Sequence, residues 1–479
     1  MQTERIKYTI RTIHFGTTTD VIFLFLCCIV FCCACSPKVA KIDLPYDTLR
    51  AFSLSGEKEA PARWWLAFED PDLNALIDSV LRSNLPLKTV WYQLEEAGAL
   101  VDITASARWP QLSLGIQSGF SVPEPDFVGG ENTQVSLRAG YEVDLWGRIR
   151  YSMHADQYRF KASYYDYKTA AVTLSAETAL AYFRLKATSE QLRLTTEQLE
   201  TNEKVLALIR ARFASGQVRG VDILRQQQLI ENTREQQIGL EMQLGFLKNQ
   251  LAVLLGRPPG EDFRNAINVL DSLPELPPLP QTGIPLQLVN RRPDVLNAYY
   301  QLQAADRDLA AAISNRYPRL NFSISTAVRS NTIEGLLESQ AGSLAASLLA
   351  PLFYGRSLNA QVDRAEAVRQ QLTNSYGQTV LTAFQEVENA LVQEVKLKEQ
   401  IEVIEEQLEL AGKTFRQLGI EYLNGSLPYI DVLATLTQQQ QLRRGLTDAR
   451  MTLYEVRIGL YRAVAGGFET AASTAGEEM

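Results

Sequence analysis

The stretch from Arg212 to Leu224 reads RFASGQVRGVDIL, and the stretch from Tyr422 to Leu433 reads YLNGSLPYIDVL. Each places a glycine-containing turn between two runs of helix-forming residues. From Arg148 to Phe213 there is neither proline nor glycine, so one helix of that length would extend about 100 Å at 1.5 Å per residue. Apolar residues recur at heptad spacing from Leu185 to Phe213 and from Ile401 to Leu418, which is typical of coiled coils. We therefore predict two long antiparallel helical hairpins.

The two hairpins belong to a tandem repeat with an offset of about 208 residues. Ala107–Leu112 matches Asn315–Leu320, and Leu145–Arg148 matches Phe353–Arg356. A unit of this length is far too long for a solenoid module. The repeat therefore indicates a duplication that builds one pseudo-symmetric body.

Four short stretches alternate apolar and polar residues, which is the pattern of strands with one apolar face. They lie at residues 112–116, 134–144, 320–325 and, more weakly, 344–352. After residue 35 no apolar run reaches the roughly 20 residues that a membrane-spanning helix needs, whereas about ten residues suffice for a tilted strand. Four strands cannot close a barrel, and open edges are not tolerated in lipid. Three copies would supply twelve strands, a number within the range of membrane barrels.

The N-terminus has the layout of a secretory signal peptide. Basic residues precede an apolar stretch, Val21–Phe31, which ends in Cys32-Cys33-Ala34-Cys35. Ala34-Cys35 resembles the end of a bacterial lipoprotein signal, which predicts that Cys35 is lipidated and becomes the first mature residue. The alternative is an ordinary cleaved signal with cysteines as small apolar filler. All five cysteines lie in this segment, so no disulfide within the mature chain is expected.

Composition speaks against several classes of protein. The net charge of −8 disfavours nucleic-acid binding, which requires a basic surface. The two histidines, of which His154 is expected on the surface, do not suggest a metal site or a catalytic triad. We predict no catalytic residues, no metal and no cofactor, and an enzyme is the weakest hypothesis.

Several motifs together resemble the TolC-like outer-membrane efflux factors, most closely the lipoprotein branch that serves RND-type pumps. They are Trp64-Trp65 with Phe68-x-Asp70-Pro71, Asp144–Arg148, Arg291–Val295, and the turns at Gly216 and Gly425. The resemblance implies a homotrimer anchored in outer-membrane lipid and extending into the periplasm. It also implies that the hairpin tips contact a periplasmic adaptor, which links them to an inner-membrane RND-type pump.

Patterns and resemblance together predict a mainly α fold with a membrane β part. In this trimeric α/β barrel each chain gives four strands to a twelve-stranded outer-membrane β-barrel, and the coiled-coil hairpins form a periplasmic α-barrel. The predicted division is signal peptide 1–34, lipidated extended segment 35–70, first repeat 71–258, proline-rich linker 259–284, second repeat 285–465 and disordered tail 466–479.

The resemblance also assigns site residues at the hairpin tips. Adaptor contacts map to Ser215, Gly216, Asn424 and Gly425. The gate at the periplasmic mouth maps to Asp222 and Tyr422, which link neighbouring helix pairs, and to the constriction formed by Ile430 and Asp431.

Simpler explanations remain open for these residues. Tight turns require glycine whatever they contact, and Asp222 and Asp431 each lie where an acidic residue caps a helix. The sequence also departs from the family pattern, since Leu427 and Ala434 replace a basic and an acidic residue. We expect a less tightly tied gate, and we interpret Arg291–Asp294 as a helix start with surface arginines.

The function implied by the resemblance is an outer-membrane exit duct that passively conducts drugs or other small molecules. A type I protein-secretion duct and a metal-efflux duct keep the same fold with another cargo. A periplasmic coiled-coil scaffold without a pore is the alternative from a different class, and the alternation at 134–144 speaks against it.

Overall fold

A computed structural model describes residues 51–57, 61–119, 132–260, 273–283, 285–330 and 340–470. The predicted signal peptide and Cys35 lie outside the described residues. The chain divides into two compact units, a strand unit of residues 102–155 and 305–369 and a helical unit that contains the other described residues. No helix among the described residues is both long and apolar enough to cross a membrane.

The strand unit contains one antiparallel sheet in the order β1-β2-β3-β4. The strands are β1 (Gln111–Gly119), β2 (Asn132–Val143), β3 (Arg319–Ser330) and β4 (Gln340–Leu349). The central pair, β2 and β3, joins the two repeats, with Tyr141 opposite Phe322. β1 pairs with β2 only, and β4 pairs with β3 only, among the described residues.

The predicted strands are confirmed, but the fourth lies earlier than residues 344–352. It ends at Leu349, because Pro351 has no N–H group to donate to a sheet ladder. Apolar side chains of β1, including Leu112, Leu114 and Ile116, are exposed on one face, as the alternation predicts.

The turn from β2 into the first long helix is held by specific contacts. The Trp146 ring stacks on Tyr317 at a centroid distance of 4.8 Å, and its Nε1 donates to the Pro318 carbonyl at 2.7 Å. Gly147 has a φ of +79°, which glycine adopts readily. The Asp144 carboxylate accepts from the Ile149 and Arg150 N–H groups and so caps the helix.

The helices follow the predicted duplication. The two long helices each have 67 residues. The helices that precede the first strand of each repeat each have 22 residues. The helices are α1 (Pro71–Ser83), α2 (Leu85–Ser106), α3 (Arg148–Ala214), α4 (Gly220–Leu254), α5 (Pro285–Arg291), α6 (Pro293–Ser314), α7 (Ser357–Leu423) and α8 (Tyr429–Val464), after a 3₁₀ turn at Trp64–Phe68.

An aromatic cluster forms part of the core of the helical unit. Trp64 and Trp65 are buried, and the Trp64 Nε1 donates to Ser175 Oγ at 3.0 Å. Trp65 meets Phe468 edge to face at 4.8 Å, and Thr470 hydrogen-bonds the Tyr167 hydroxyl. The predicted disorder of the tail from residue 466 is therefore wrong for residues 466–470, because a large apolar side chain there is buried against tryptophan.

Two predicted surface positions are also corrected. Arg292 is buried, since its guanidinium binds the Asp294 and Glu386 carboxylates, which compensate its loss of hydration; Arg291 is exposed. In the strand unit His154 is half-buried, and its pKa is lowered by burial and by the charges of nearby arginines, the largest being that of Arg307.

Candidate functional site

The two hairpin tips use the same backbone closure. Gly216 has a φ of +74°, its N–H donates to the Phe213 carbonyl, and the Gln217 N–H donates to the Arg212 carbonyl, both at 2.9 Å. Gly425, with a φ of +77°, repeats this pattern at the end of α7. This is the Schellman closure of a helix C-terminus, and it requires a left-handed residue. The predicted sharp turns are thus present in both repeats.

The tips of the two hairpins pack on each other within one chain. The buried residues at this junction are Ile209 from the first hairpin and Tyr422, Tyr429 and Val432 from the second. Partly buried apolar residues surround them, among them Leu427. The leucine that replaces the family's basic residue is therefore part of an apolar contact here.

Arg212 joins the two tips directly. Its guanidinium lies 4.7 Å from the centre of the Tyr422 ring, and its Nη1 donates to the Leu423 carbonyl at 3.2 Å. A cation at the C-terminal end of a helix is favoured by the unpaired carbonyls there. Sequence reasoning missed Arg212, and its basic charge in the last turn of α3 is the only local signal that could have indicated it.

Asp222 has a structural role within the chain. Its buried carboxylate accepts from the Arg219 N–H at 3.3 Å and pairs with Arg225 at 3.4 Å. The capping interpretation is therefore correct for Asp222, and it leaves room for a second role. Asp222 and Tyr422 lie close enough to interact electrostatically, although no hydrogen bond connects them among the described residues.

The Tyr422 hydroxyl is buried, and it has no hydrogen-bond partner in the described part of the chain. Burial raises the pKa of Tyr422; the Arg212 charge opposes this rise and the Asp222 charge adds to it. A buried hydroxyl without a partner is costly, so this group is suited to bind an acceptor that the described residues do not supply.

The other predicted site residues lie on the surface of the tips. Ile430 and Asp431 are exposed in the first turn of α8, whereas Asp222 is buried. Ser215 and Asn424 are exposed beside the two turn glycines. The structure therefore separates an inner pair, Asp222 and Tyr422, from exposed residues on the turns and on α8.

Behind the tips a buried hydrogen-bond network connects three helices. Asn202 donates to Thr233 Oγ1 at 3.1 Å, accepts at Oδ1 from Gln440 at 3.0 Å, and accepts at its carbonyl from Gln226 at 2.7 Å. Gln226 in turn accepts a hydrogen bond from the buried Tyr429 hydroxyl. Burial raises the pKa of Tyr429, so this hydroxyl remains a donor. Satisfied buried networks of this kind set the register of packed helices.

Among the described residues no group of three or more His, Cys, Asp or Glu side chains is arranged to hold a metal ion.

Comparison with known proteins identifies the family. A family model described as outer membrane efflux protein matches residues 76–257 and 284–466, which are the two repeats. The chain belongs to the outer membrane efflux protein family. Its predicted resemblance is confirmed.

Similar proteins cover nearly the whole chain. The pyoverdine export outer membrane protein OpmQ of Pseudomonas aeruginosa is 28% identical over 459 residues, which are 93% of this chain and 96% of OpmQ. The probable outer membrane lipoprotein SilC of Salmonella typhimurium is 27% identical, over 91% of this chain and 96% of SilC. The open state of the MtrE outer membrane channel of Neisseria gonorrhoeae shares the fold, with a TM-score of 0.80 at 23% identity over 91% and 99% of the two chains.

These similarities confirm the fold class and the outer-membrane location. The protein is an outer-membrane efflux duct, and its family consists of transport channels. The alternative of a periplasmic scaffold without a pore is therefore wrong.

Proposed function

We propose that the protein is the last component of a tripartite efflux system, and that it passively conducts drugs or other small organic molecules from an RND-type inner-membrane pump and a periplasmic adaptor. We further propose that it catalyses no reaction. The single observation that supports this best is the family match to both repeats, each of which contains an exposed hairpin tip. OpmQ is named for pyoverdine export, which supports an organic cargo.

The assembly we propose is a homotrimer. Three chains of four strands each bring twelve strands together as the wall of the pore. The β1 and β4 edges have no neighbour among the described strands of one chain, and this supports the proposal because unpaired strand edges are costly in lipid.

The gate we propose consists of Asp222, Tyr422, Ile430 and Asp431. The hydroxyl of Tyr422 has no partner among the described residues, so it is available to a neighbouring chain. The Asp222 carboxylate, which caps α4, carries a negative charge near this hydroxyl. Ile430 and Asp431 are exposed, so they are available to narrow the mouth with an apolar and an acidic ring. The exposed tip residues Ser215, Gly216, Asn424 and Gly425 are proposed to contact the adaptor.

The membrane anchor we propose is a lipid on Cys35, with the signal peptide removed. The Ala34-Cys35 motif supports this proposal, as does the description of SilC as an outer membrane lipoprotein. Growth with labelled palmitate should label the wild-type protein but not Cys35→Ser. Equal labelling of both proteins would place the anchor elsewhere.

Planar-bilayer conductance of the purified full-length protein tests the duct and its gate. Asp222→Asn retains an acceptor for the helix cap, and Tyr422→Phe removes a hydroxyl for which the described residues offer no partner, so the double variant should fold. We expect a small wild-type conductance that rises several-fold in this variant. Asp448→Asn is the matched control, because it removes the charge of an aspartate on the same helix as Asp431. It should conduct like the wild type.

Each result is informative. If the conductance is unchanged in the double variant but rises in Asp431→Asn, the gate is formed by Ile430 and Asp431 and not by Asp222 and Tyr422. If the folded protein never conducts, the proposal that it is a conducting duct is wrong. For the cargo, a strain lacking the protein should become sensitive to dyes and drugs; sensitivity confined to metal salts would favour the metal-efflux alternative.

A further inference from the structure

A groove of about 500 Å³ lies in the helical unit, beside the point where the described chain reaches Thr470. Its floor is aromatic, since Trp91 meets Tyr167 edge to face at 5.2 Å and the Tyr167 hydroxyl hydrogen-bonds Thr470 Oγ1 at 2.6 Å. Tyr167 is 2% exposed and Thr470 is 7% exposed. The chain is therefore anchored in the groove wall at Thr470, and residues 471–479, which lie outside the described residues, continue from this anchor.

The lining of the groove carries an excess of positive charge. Its cationic side chains are Arg63, Arg82 and Lys88, and its carboxylates are those of Asp78 and Glu469. Arg63 pairs with Asp78 at 3.5 Å, whereas Arg82 and Lys88 are exposed and have no ion-pair partner among the described residues. The whole sequence has a net charge of −8, so a positive groove runs against the average surface of this chain.

The position of Lys88 adds to this positive field. α2 begins at Leu85, and its first turn contains no acidic residue. The N-terminal end of a helix carries a partial positive charge, so a lysine close to it increases the charge at a place where a carboxylate is favoured. Arg82, in contrast, lies in the last turn of α1, where a cation is favoured by the helix itself. Lys88 is therefore the cation that is most suited to an anionic partner.

We propose that residues 471–479 lie along this groove, with the carboxylates of Glu477 and Glu478 paired with Arg82 and Lys88. Residues 471–476 are alanine, serine, threonine and glycine, whose small side chains can pass over an aromatic floor. Seven residues separate Glu477 from the anchor, and a fully extended chain of that length reaches about 25 Å. This reach is ample for a groove of this volume.

The choice of the chain's own tail follows from its attachment. Ion pairs with exposed cations are individually weak, so an acidic peptide in dilute solution gains little from this groove. A segment that is tethered beside the groove has an effective concentration in roughly the millimolar range, at which weak contacts suffice. Glu477 and Glu478 are the only charged residues that follow Glu469 in the sequence. This inference goes beyond the proposed function, because neither conduction nor the oligomer enters it.

A nitroxide label on the tail tests whether it is held. No cysteine follows Cys35, so Ala475→Cys adds one labelling site, and the parent protein without this change is the labelling blank. In the purified full-length protein, we expect the broad electron paramagnetic resonance spectrum of an immobilised side chain. High salt should narrow this spectrum, since exposed ion pairs are screened. A spectrum of a freely mobile label at low salt would show that the tail is not docked, and the proposal would be wrong.

Substitutions on both sides of the contact identify the partners. Arg82→Gln with Lys88→Gln should release the tail and raise the mobile fraction of the label several-fold, and Glu477→Gln with Glu478→Gln should do the same. Lys248→Gln, which removes an exposed cation of α4 outside the groove lining, is the matched control and should leave the spectrum unchanged.

Exchange of the charges separates pairing from a general effect of the substitutions. Arg82→Glu and Lys88→Glu together should release the tail, and the addition of Glu477→Lys and Glu478→Lys should immobilise it again. If the label stays immobilised when the groove cations are removed, the tail is held elsewhere. The proposed ion pairs are then wrong.

A disulfide distinguishes the chain's own tail from that of a second copy. On oxidation, Lys88→Cys with Glu477→Cys should give a link within one chain, identified by mass spectrometry of the digested monomer band. Gln93→Cys with Glu477→Cys is the control, because Gln93 is exposed on the same helix but does not line the groove. Equal linking of the two pairs would show that the tail has no preferred position, and links only between two chains would assign the groove to another copy. Either result would contradict the proposal.

Discussion

At the scale of single residues, the turn glycines allow the backbone conformation of the hairpin tips, and buried carboxylates stabilise the fold. Gly216 and Gly425 have left-handed backbones, yet a Cβ built on either would meet no atom within 4 Å. The constraint at these positions is therefore the backbone conformation, which costs an L-residue roughly 1–2 kcal/mol, and not a lack of space.

Replacing either turn glycine should destabilise the hairpin it closes. We expect Gly216→Ala or Gly425→Ala to cost about 1 kcal/mol, seen as a lower midpoint in thermal unfolding followed by circular dichroism. Gly445 lies inside α8 with an equally open surrounding, so Gly445→Ala should raise the midpoint. Equal effects at all three positions would contradict the conformational explanation.

Asp70 should make part of the stability dependent on pH. Burial by itself would raise the pKa of its carboxyl, but hydrogen bonds from the Leu73 N–H, Tyr182 and Lys186, with the Lys186 charge, lower the pKa below its ordinary value. A carboxyl with a lowered folded-state pKa contributes stability that is present above its unfolded pKa, near 4, and is lost as the pH falls through the folded pKa.

Thermal unfolding between pH 3 and pH 7 checks this expectation. The wild-type midpoint should fall at the acidic end, and Asp70→Asn should have a lower midpoint at pH 7 and a weaker pH dependence. Asp72→Asn, which changes the neighbouring carboxylate in the same helical turn, is the control and should keep the wild-type slope. A wild-type slope in Asp70→Asn would assign the acid sensitivity to other groups.

At the scale of elements, buried charges connect the helices to the segment between the repeats. Arg457 in α8 is fully buried, where its guanidinium binds Glu394 of α7 and also the Pro277 carbonyl. The Tyr454 hydroxyl donates to the Pro274 carbonyl one turn earlier. The proline-rich segment is thus held by its own carbonyl groups, which need no particular side chain in the linker.

Breaking the pair between Arg457 and Glu394 should be costly because a buried charge then loses its opposite buried charge, and Glu394 keeps only the half-exposed Lys398 as a cationic partner. Arg457→Met or Glu394→Met is expected to cost about 3–5 kcal/mol, and the double variant should recover much of that loss. The exposed pair Lys396–Glu399 is the control, and its loss should cost at most about 1 kcal/mol. A double-mutant cycle in chemical denaturation measures both, and additive losses in the buried pair would refute the coupling.

At the scale of the whole molecule, the duplicated sequence forms two similar halves whose differences are informative. The long helices of the two repeats have equal lengths, but the turn after β2 is partly buried while the turn after β4 is exposed. The residues that follow the second repeat are also needed, since Phe468 completes an aromatic cluster that begins at Trp64.

Two truncations should show how much residues 466–470 contribute to stability. Removal of residues 466–479 deletes the buried Phe468 and should cost about 3–5 kcal/mol, in the range of a core Phe→Ala change. Removal of residues 471–479 alone keeps Phe468 and is the control, which should unfold at a higher temperature than the longer truncation. The measurement is thermal unfolding and yield of both purified proteins, and equal yields and midpoints would show that Phe468 contributes little.

The helices, the turns and the strands follow from local patterns of residues, and so does the duplication. Heptad spacing, period-two alternation and glycine at a turn depend only on residues that are near each other in the sequence, so they predicted the type of each element and most element boundaries. The motifs predicted the family. Contacts between distant residues were not predictable in this way. Arg212 reaches Leu423, Arg292 reaches Glu386, and Phe468 reaches Trp65, because a charge or an aromatic ring in one element is satisfied only by what folding brings beside it.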